Sequence, residues 1–346
     1  MAAPPPKPPA RTDQQHPSLD TPAPPQQKKE ITALRPGDIV RPIRTHEIQQ
    51  TLPLFFLPLH DHADKTLRQA VHAFRQLARQ QHYDLSQQIV ALRHDRIVAA
   101  CLCIPQKGRY AFALTSTAPA PTPTDPDLAY LTVETIRQST ARAFKHNACF
   151  VQILLETDDK DRRDICCRAG FQPLTNLIYM MRIPSQNTPS QKPQPHLAWR
   201  AYQPQHHQLF KDVIKQTYLQ SLDCPELENL RDMEDVITAH RASGQFDPAL
   251  WQLLLYRKQP AGVLLLTPQN AHHSLDVTYM GLCPQFRKKG LSSLLMQHAI
   301  DLAAQLQYQA LTLAVDQRNT PARKLYQRLN FREFLRRTAL LARPKP

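Results

Sequence analysis

The chain has 346 residues, and 43 Lys plus Arg against 29 Asp plus Glu leave a formal charge of +14 and a pI of 9.6. Hydrophobic residues make up 42%, enough for a core in each of two average domains, so a wholly disordered chain is excluded and the basic excess favours anionic partners. The longest apolar stretch, Leu52 to Leu59, is broken by Pro53 and Pro58 and falls far short of the ~20 residues a membrane helix needs.

Residues 1–30 hold nine prolines and almost no large apolar side chains, a composition that cannot offset the entropy of ordering and predicts a disordered tail. A first module is expected over 31–184. Its spacing predicts a helix from Thr66 to Gln81, a hairpin of Gln88–Arg93 and Arg96–Ile104, and a third strand, Tyr110–Thr115. After a proline-rich loop come a helix, Leu128 to Lys145, a buried strand, Phe150–Glu156, a short helix, Arg162–Ala169, and a closing strand, Asn176–Ile183. Residues 185–196, rich in Pro, Ser and Gln, read as a linker.

The second module, 197–346, repeats that order. A strand at Leu197–Tyr202 precedes helices in 206–221 and 230–243; Trp251–Arg257 and Ala261–Thr267 pair around a turn at Lys258–Pro260; Leu275–Leu282 follows. A helix from Leu291 aligns Leu294, Leu295, Ala299, Leu302 and Leu306 along one stripe. Ala310–Val315 is a buried strand, Thr320–Leu329 a helix with Thr320 as its cap, and Phe334–Leu341 the last strand. The fold class is therefore mixed α/β, as two tandem modules, each a central mixed sheet flanked by helices.

Seven scattered cysteines include no Cys-x-x-Cys pair, so neither a metal site nor a disulfide framework is expected. No basic segment followed by a continuous apolar core stands at the amino terminus, and a reducing, cytoplasmic location is expected.

Chemistry concentrates in two stretches. In Leu282-Cys283-Pro284-Gln285-Phe286-Arg287-Lys288-Lys289-Gly290-Leu291-Ser292 a strand ends and a helix begins through a short basic loop. Free N–H groups at the helix start and small residues at Gly290 and Ser292 suit a phosphate approaching the backbone. One strand later, Asn319 and Tyr326 stand two helical turns apart, so an amide and a phenol can face one cleft.

Together these stretches resemble the GNAT acyltransferase superfamily, whose acyl-CoA signature is Arg/Gln-x-x-Gly-x-Gly/Ala after the fourth strand and Asn-x-x-Ala-x-x-x-Tyr after the fifth. Here the first reads Arg287, Gly290 and Ser292, with Ser in place of the final small residue, and the second reads Asn319, Ala322 and Tyr326. The first module looks like a degenerate copy: Asp159 falls at the asparagine, Arg162 at the alanine and Cys166 at the tyrosine. The proline-rich loop at 117–123 offers no cradle there. The layout is similar to tandem members such as mycothiol synthase.

The resemblance implies acetyl-CoA as cosubstrate, with no metal, and direct acetyl transfer to an amine acceptor. The backbone of Lys288, Lys289, Gly290, Leu291 and Ser292 would hold the pyrophosphate, the strand end at Leu282 would pair with pantetheine, Asn319 would bind it, and Tyr326 would protonate the departing thiolate. The candidate base is Asp276, six residues before Leu282 and on the same face by two-residue counting. Residues 251–346 carry 14 basic and four acidic side chains, and 206–250 four basic and eight acidic. The acidic run of Asp223, Glu226, Glu228, Asp232, Glu234 and Asp235 would draw a cationic acceptor. Two further readings stay open: a catalytically silent acyl-CoA sensor, and a nucleic-acid-binding protein, which only the net charge supports. The acceptor and the oligomeric state stay open, a monomer with a pseudo-dimer of modules being one form.

Overall fold

The computed structural model describes residues 34–56, 65–117, 128–184 and 195–344. The expected tail, most of the linker and most of the proline-rich loop therefore lie outside the described residues. The first half begins with β1 (Asp38–Pro42), a short α1 (Ile48–Thr51) and α2 (Lys65–Gln80). Then come β2 (Ile89–Arg93), β3 (Arg96–Gln106), β4 (Tyr110–Thr115), α3 (Ala129–Lys145), β5 (Phe150–Leu155), α4 (Lys160–Arg168) and β6 (Gln172–Arg182). The second half repeats this plan as β7 (Leu197–Ala201), α5 (His207–Tyr218), α6 (Met233–Arg241), β8 (Trp251–Tyr256), β9 (Gln259–Gln269), β10 (Ser274–Leu282), α7 (Leu291–Gln305), β11 (Ala310–Asp316), α8 (Thr320–Arg328) and β12 (Arg332–Ala342).

Two-residue alternation in β3 shows how the layers form. Cys101 and Cys103 point to α3 and α4, packing with Ile136, Ile153 and Ile165. Ala100, Leu102 and Ile104 point the other way, to Leu52, Phe55 and Phe74 before and within α2. Two expectations are corrected. The β8–β9 turn is Arg257-Lys258, both at positive φ, a two-residue turn whose twist matches the strands. The first half also opens with β1 and α1, which the sequence reading passed over because β1 is five residues with no buried side chain.

The twelve strands form one sheet in the order β1-β2-β3-β4-β5-β12-β6-β11-β10-β9-β8-β7. The last strand of each half is therefore seated against the other half. β12 pairs antiparallel with β5 of the first half, and β6 pairs antiparallel with β11 of the second. The two exchanged strands pair with each other at the centre. Side chains reinforce the exchange: Arg182 of β6 donates to the carbonyl of Leu329 after α8. Away from the centre, Arg109 beside the β3–β4 turn pairs with Asp235 of α6 at 2.7 Å.

Candidate active site

β10 and β11 pair in parallel only from Ser274–Val277 to Ala310–Leu313. β10 runs on to Leu282 and β11 to Asp316, so the two strands part and leave one edge of β10 unpaired. A bulge at Thr278 marks the parting. The gap opens into a cavity of 740 Å³ whose wall includes Thr217, Asp223, Leu282, Lys288, Ser292, Asn319, Ala322 and Tyr326. Both motifs singled out in the sequence thus border one cleft.

The bulge also changes the phase of β10. Before it, Asp276 lies opposite Thr267; after it, Tyr279 lies opposite Leu265 and Leu282 opposite Gly262. Because β9 shows no register shift from Gly262 to Thr267, Asp276, Tyr279 and Gly281 share one face while Val277, Met280 and Leu282 share the other. The expectation that Asp276 and Leu282 face the same way is therefore corrected by one inserted residue. Gly281 is required on its face: a Cβ there would lie 2.6 Å from that of Thr217 in α5.

The loop after β10 places its groups unequally. Lys288 and Gly290 both take positive φ, and Gly290 caps α7 with open space where a side chain would stand. The first N–H groups of α7 have no intrahelical partner and carry the positive end of the helix dipole. Lys288 and Ser292 line the cavity. Leu291 is buried as a core residue, and Lys289 lies over the Phe286 ring at 5.6 Å. The Arg287 guanidinium is engaged by protein carbonyls: it donates to Leu282 O at 3.0 Å, Thr217 O at 2.9 Å and Gln220 O at 3.1 Å. It ties α5 to the end of β10 and also lines the cavity.

In α8 the cap is Asn319 rather than Thr320. Its side-chain oxygen accepts from Ala322 N at 3.3 Å, and its amide bonds the Asp223 carboxylate. Tyr326 is buried against Phe331, with centroids 5.9 Å apart. Burial, with the negative Asp223 nearby, raises its phenol far above the usual range, so it carries its proton at neutral pH.

Two carboxylates define the other side. Asp276 accepts from Thr312 Oγ1 at 2.7 Å and lies beside Thr278 of the cavity wall rather than in the wall itself. Burial pushes its carboxyl up to about 6, against the pull of Thr312 and Thr278. Asp223 faces the water of the cleft yet is hemmed in by protein, and that crowding raises its carboxyl despite the bond from Asp316 N at 2.9 Å.

Among the remaining acids expected to wall the acceptor, Glu226 pairs with Arg318, Glu234 with Lys211 and His207, and Asp235 and Asp232 with Arg109. Glu228 stands exposed, so Asp223 alone of that run lines the cavity. Of the other titratable candidates, His298 stacks on Trp199 at 3.8 Å and bonds Gln252, burial lowers it to about 4, and Cys283 is fully buried.

The first half shows the same frame with different contents. Asp159 caps α4 by accepting from Arg162 N at 3.0 Å, as Asn319 caps α8. Gly170 and Asn330 end the two helices at positive φ, each followed by a phenylalanine whose N–H returns to the residue five before, Cys166 or Tyr326. Arg162, bonded to Asp159 and buried, fills the position where Ala322 leaves space. Cys166 replaces the phenol.

Sequence reasoning missed Asp316 and Thr175. Asp316 is fully buried at the end of β11 and accepts from Thr175 Oγ1 of β6 at 2.6 Å, Cys224 N at 3.1 Å and Arg318. Its partners lie 141 and 92 residues away, beyond any local pattern. Among the described residues no helix is long and apolar enough to cross a membrane, and no group of three His, Cys, Asp or Glu side chains is placed to hold a metal.

Residues 214–331 match the family model described as acetyltransferase (GNAT) family. No curated protein matches the chain significantly. Among solved structures, a GCN5-related N-acetyltransferase from Sphaerobacter thermophilus is similar with a TM-score of 0.59 and 15% identity, over 91% of this chain and 98% of that one. A fungal GCN5-related glucosamine N-acetyltransferase region within a multi-domain GH3 β-N-acetylglucosaminidase is similar at 0.53 and 10% identity, over 88% of this chain and 38% of that one. A tandem GNAT protein from the clavulanic acid biosynthesis pathway aligns at 0.46 and 11% identity, over 89% and 99%.

Proposed function

We propose, from the premise that residues 214–331 form a domain of the acetyltransferase (GNAT) family, that the protein is an acyl-CoA-dependent N-acyltransferase that moves an acetyl group from acetyl-CoA to an amine. The observation that carries this reading is the parting of β10 and β11, which leaves a strand edge and a 740 Å³ cavity between the two motifs. Acetyl-CoA supplies the activated thioester. The backbone from Lys288 to Ser292, with the Lys288 ammonium, holds the pyrophosphate, and the open edge of β10 near Leu282 accepts pantetheine like an added strand. Asn319 and Ala322 border its path.

Asp276 takes a proton from the ammonium of the acceptor, directly or through one water, as its raised carboxyl allows near neutrality. The freed amine attacks the thioester carbon, the C–S bond breaks, Tyr326 gives its proton to the thiolate, and the proton shed by the new amide nitrogen returns through water to the phenolate. A phenol held protonated by burial is suited to that step. The first half, with Arg162 in place of the open alanine position, serves as a non-catalytic copy that lends β6 to the sheet. A reducing cytoplasmic location, in which its thiols stay free, goes with this reading.

Calorimetric titration with acetyl-CoA at moderate salt tests the reading: one saturable site is expected, and absence of binding by folded protein rejects it. Tyr326→Phe is expected to slow acetyl transfer ~10- to 100-fold with acetyl-CoA affinity retained. Unchanged turnover removes the phenol from the mechanism.

A further inference from the structure

The sheet face that carries Asp276 continues across strands of both halves. Asp276 pairs with Thr312 of β11, and Thr312 with Met181 of β6; one row along, Ala314 pairs with Tyr179, and Tyr179 with Leu335 of β12. Two-residue alternation puts Thr312, Ala314, Met181 and Tyr179 on the same face as Asp276. Tyr179 thus stands diagonally across β11 from the carboxylate, on a strand that only the exchange brings to the second half.

This floor is open. Ala314 is exposed in mid-strand and also lines the cavity. Phe334, at a bulge in β12, is 52% exposed, and its ring meets that of Tyr179 edge-on at 6.4 Å. Two nearby cations are engaged, Arg337 with Glu156 and Arg336 with Glu333, while Arg332, in register with Met181, stands three strands from Asp276. Asp276 is bonded by the neutral hydroxyls of Thr312 and Thr278 and by no cation among the described residues. A carboxylate bonded only by hydroxyls, across β11 from a half-buried tyrosine and an exposed phenylalanine, matches an ammonium carried on a flat apolar group.

We propose that this floor is the acceptor subsite, that it selects an amine bearing an aromatic group, and that the N-terminal half contributes Tyr179 to it through the exchanged strand. The inference rests on the acetyltransferase reading above. The ammonium meets Asp276 while the ring packs against Tyr179 and Phe334, which orients the nitrogen toward the cleft where β10 and β11 part. Both aromatic side chains are positioning residues, acting on acceptor binding rather than on the bonds that change.

The test compares phenethylamine with ethylamine as acceptors for the full chain and acetyl-CoA. Phenethylamine is expected to give the larger kcat/KM. Tyr179→Ala is expected to lower that value ~10-fold and Phe334→Ala ~3-fold, chiefly through KM, as loss of an aromatic contact predicts. Ethylamine turnover and acetyl-CoA affinity should stay unchanged, and Tyr179→Phe should restore the phenethylamine preference. Phe334 is exposed, so its variant remains informative if Tyr179→Ala folds poorly. Acetyl-CoA binding with no preference for phenethylamine, or an equal loss for both amines in Phe334→Ala, overturns the subsite alone. Absence of acetyl-CoA binding to the wild-type protein overturns the acetyltransferase reading and the subsite with it.

Discussion

Asp276→Asn is expected to lower kcat/KM for acetyl transfer by ~10²- to 10³-fold and, at pH 7.5, to make the protein more stable. Both effects follow from one carboxyl raised to about 6 by burial. As a base it works only when ionised, so wild-type activity should fall as pH drops below about 6, a limb the Asn variant should lack. For folding the sign is opposite. The native carboxyl lies above its unfolded value of 3.8, so its contribution favours the fold below 3.8 and is lost as pH rises through about 6. At pH 7.5 the native state therefore bears a buried charge. The gap between 3.8 and about 6 corresponds to ~3 kcal/mol, and screening by cleft water reduces this to a net gain of ~1 kcal/mol for Asn. Urea denaturation at pH 7.5 and pH 5 measures it, with the gain shrinking at the lower pH. Wild-type turnover in the Asn variant, or an acid limb that persists in it, would rule out Asp276 as base.

Most elements were legible because each follows a local rule. The stripe on α7 is buried at Leu291, Leu295 and Ala299, half-buried at Leu294 and Leu302 and exposed at Leu306, where the helix has ended, and the Asn319-to-Tyr326 spacing places cap and phenol on one cleft wall. The repeat was legible in the same way, since Asp159 and Asn319 cap their helices alike. The exchange of β6 and β12 left no such trace. Ile178 and Met180, or Leu340 and Ala342, bury one face of a strand identically whichever neighbour supplies the hydrogen bonds. The bulge at Thr278 escaped too, because nothing in Asp276-Val277-Thr278-Tyr279 announces an extra residue, and one insertion reverses the face of everything after it. Arg287 shows a third limit: its place in the motif does not announce that its guanidinium is engaged by three carbonyls of its own chain.

Asp316→Ala is expected to destabilise the protein by ~3 kcal/mol, because this carboxylate is where loop, strand exchange and cleft meet. It is fully buried and accepts from Thr175 of β6, Cys224 N of the α5–α6 loop, and the backbone and guanidinium of Arg318. Its removal strands a buried N–H and a hydroxyl and leaves Arg318 with Glu226 as its acidic partner, losses of the size known for breaking a buried charge network. Thr175→Val removes only the bond across the exchange and should cost ~1 kcal/mol. Burial would raise the Asp316 carboxyl, but the bonds from Arg318 and Thr175 outweigh it and hold it below 3.8. Its contribution to stability is thus present above pH 3.8 and lost as acid takes the carboxyl through its lowered value. The same loop carries Asp223, bonded to Asp316 N and Asn319, so loosening it should also weaken acetyl-CoA binding, whereas Thr175→Val should leave that affinity nearly intact. Guanidinium denaturation and acetyl-CoA titration of the two variants separate these effects. A stability change below ~0.5 kcal/mol for Asp316→Ala would show that the loop is held by its other contacts and that the exchanged strand is seated by its backbone ladder alone.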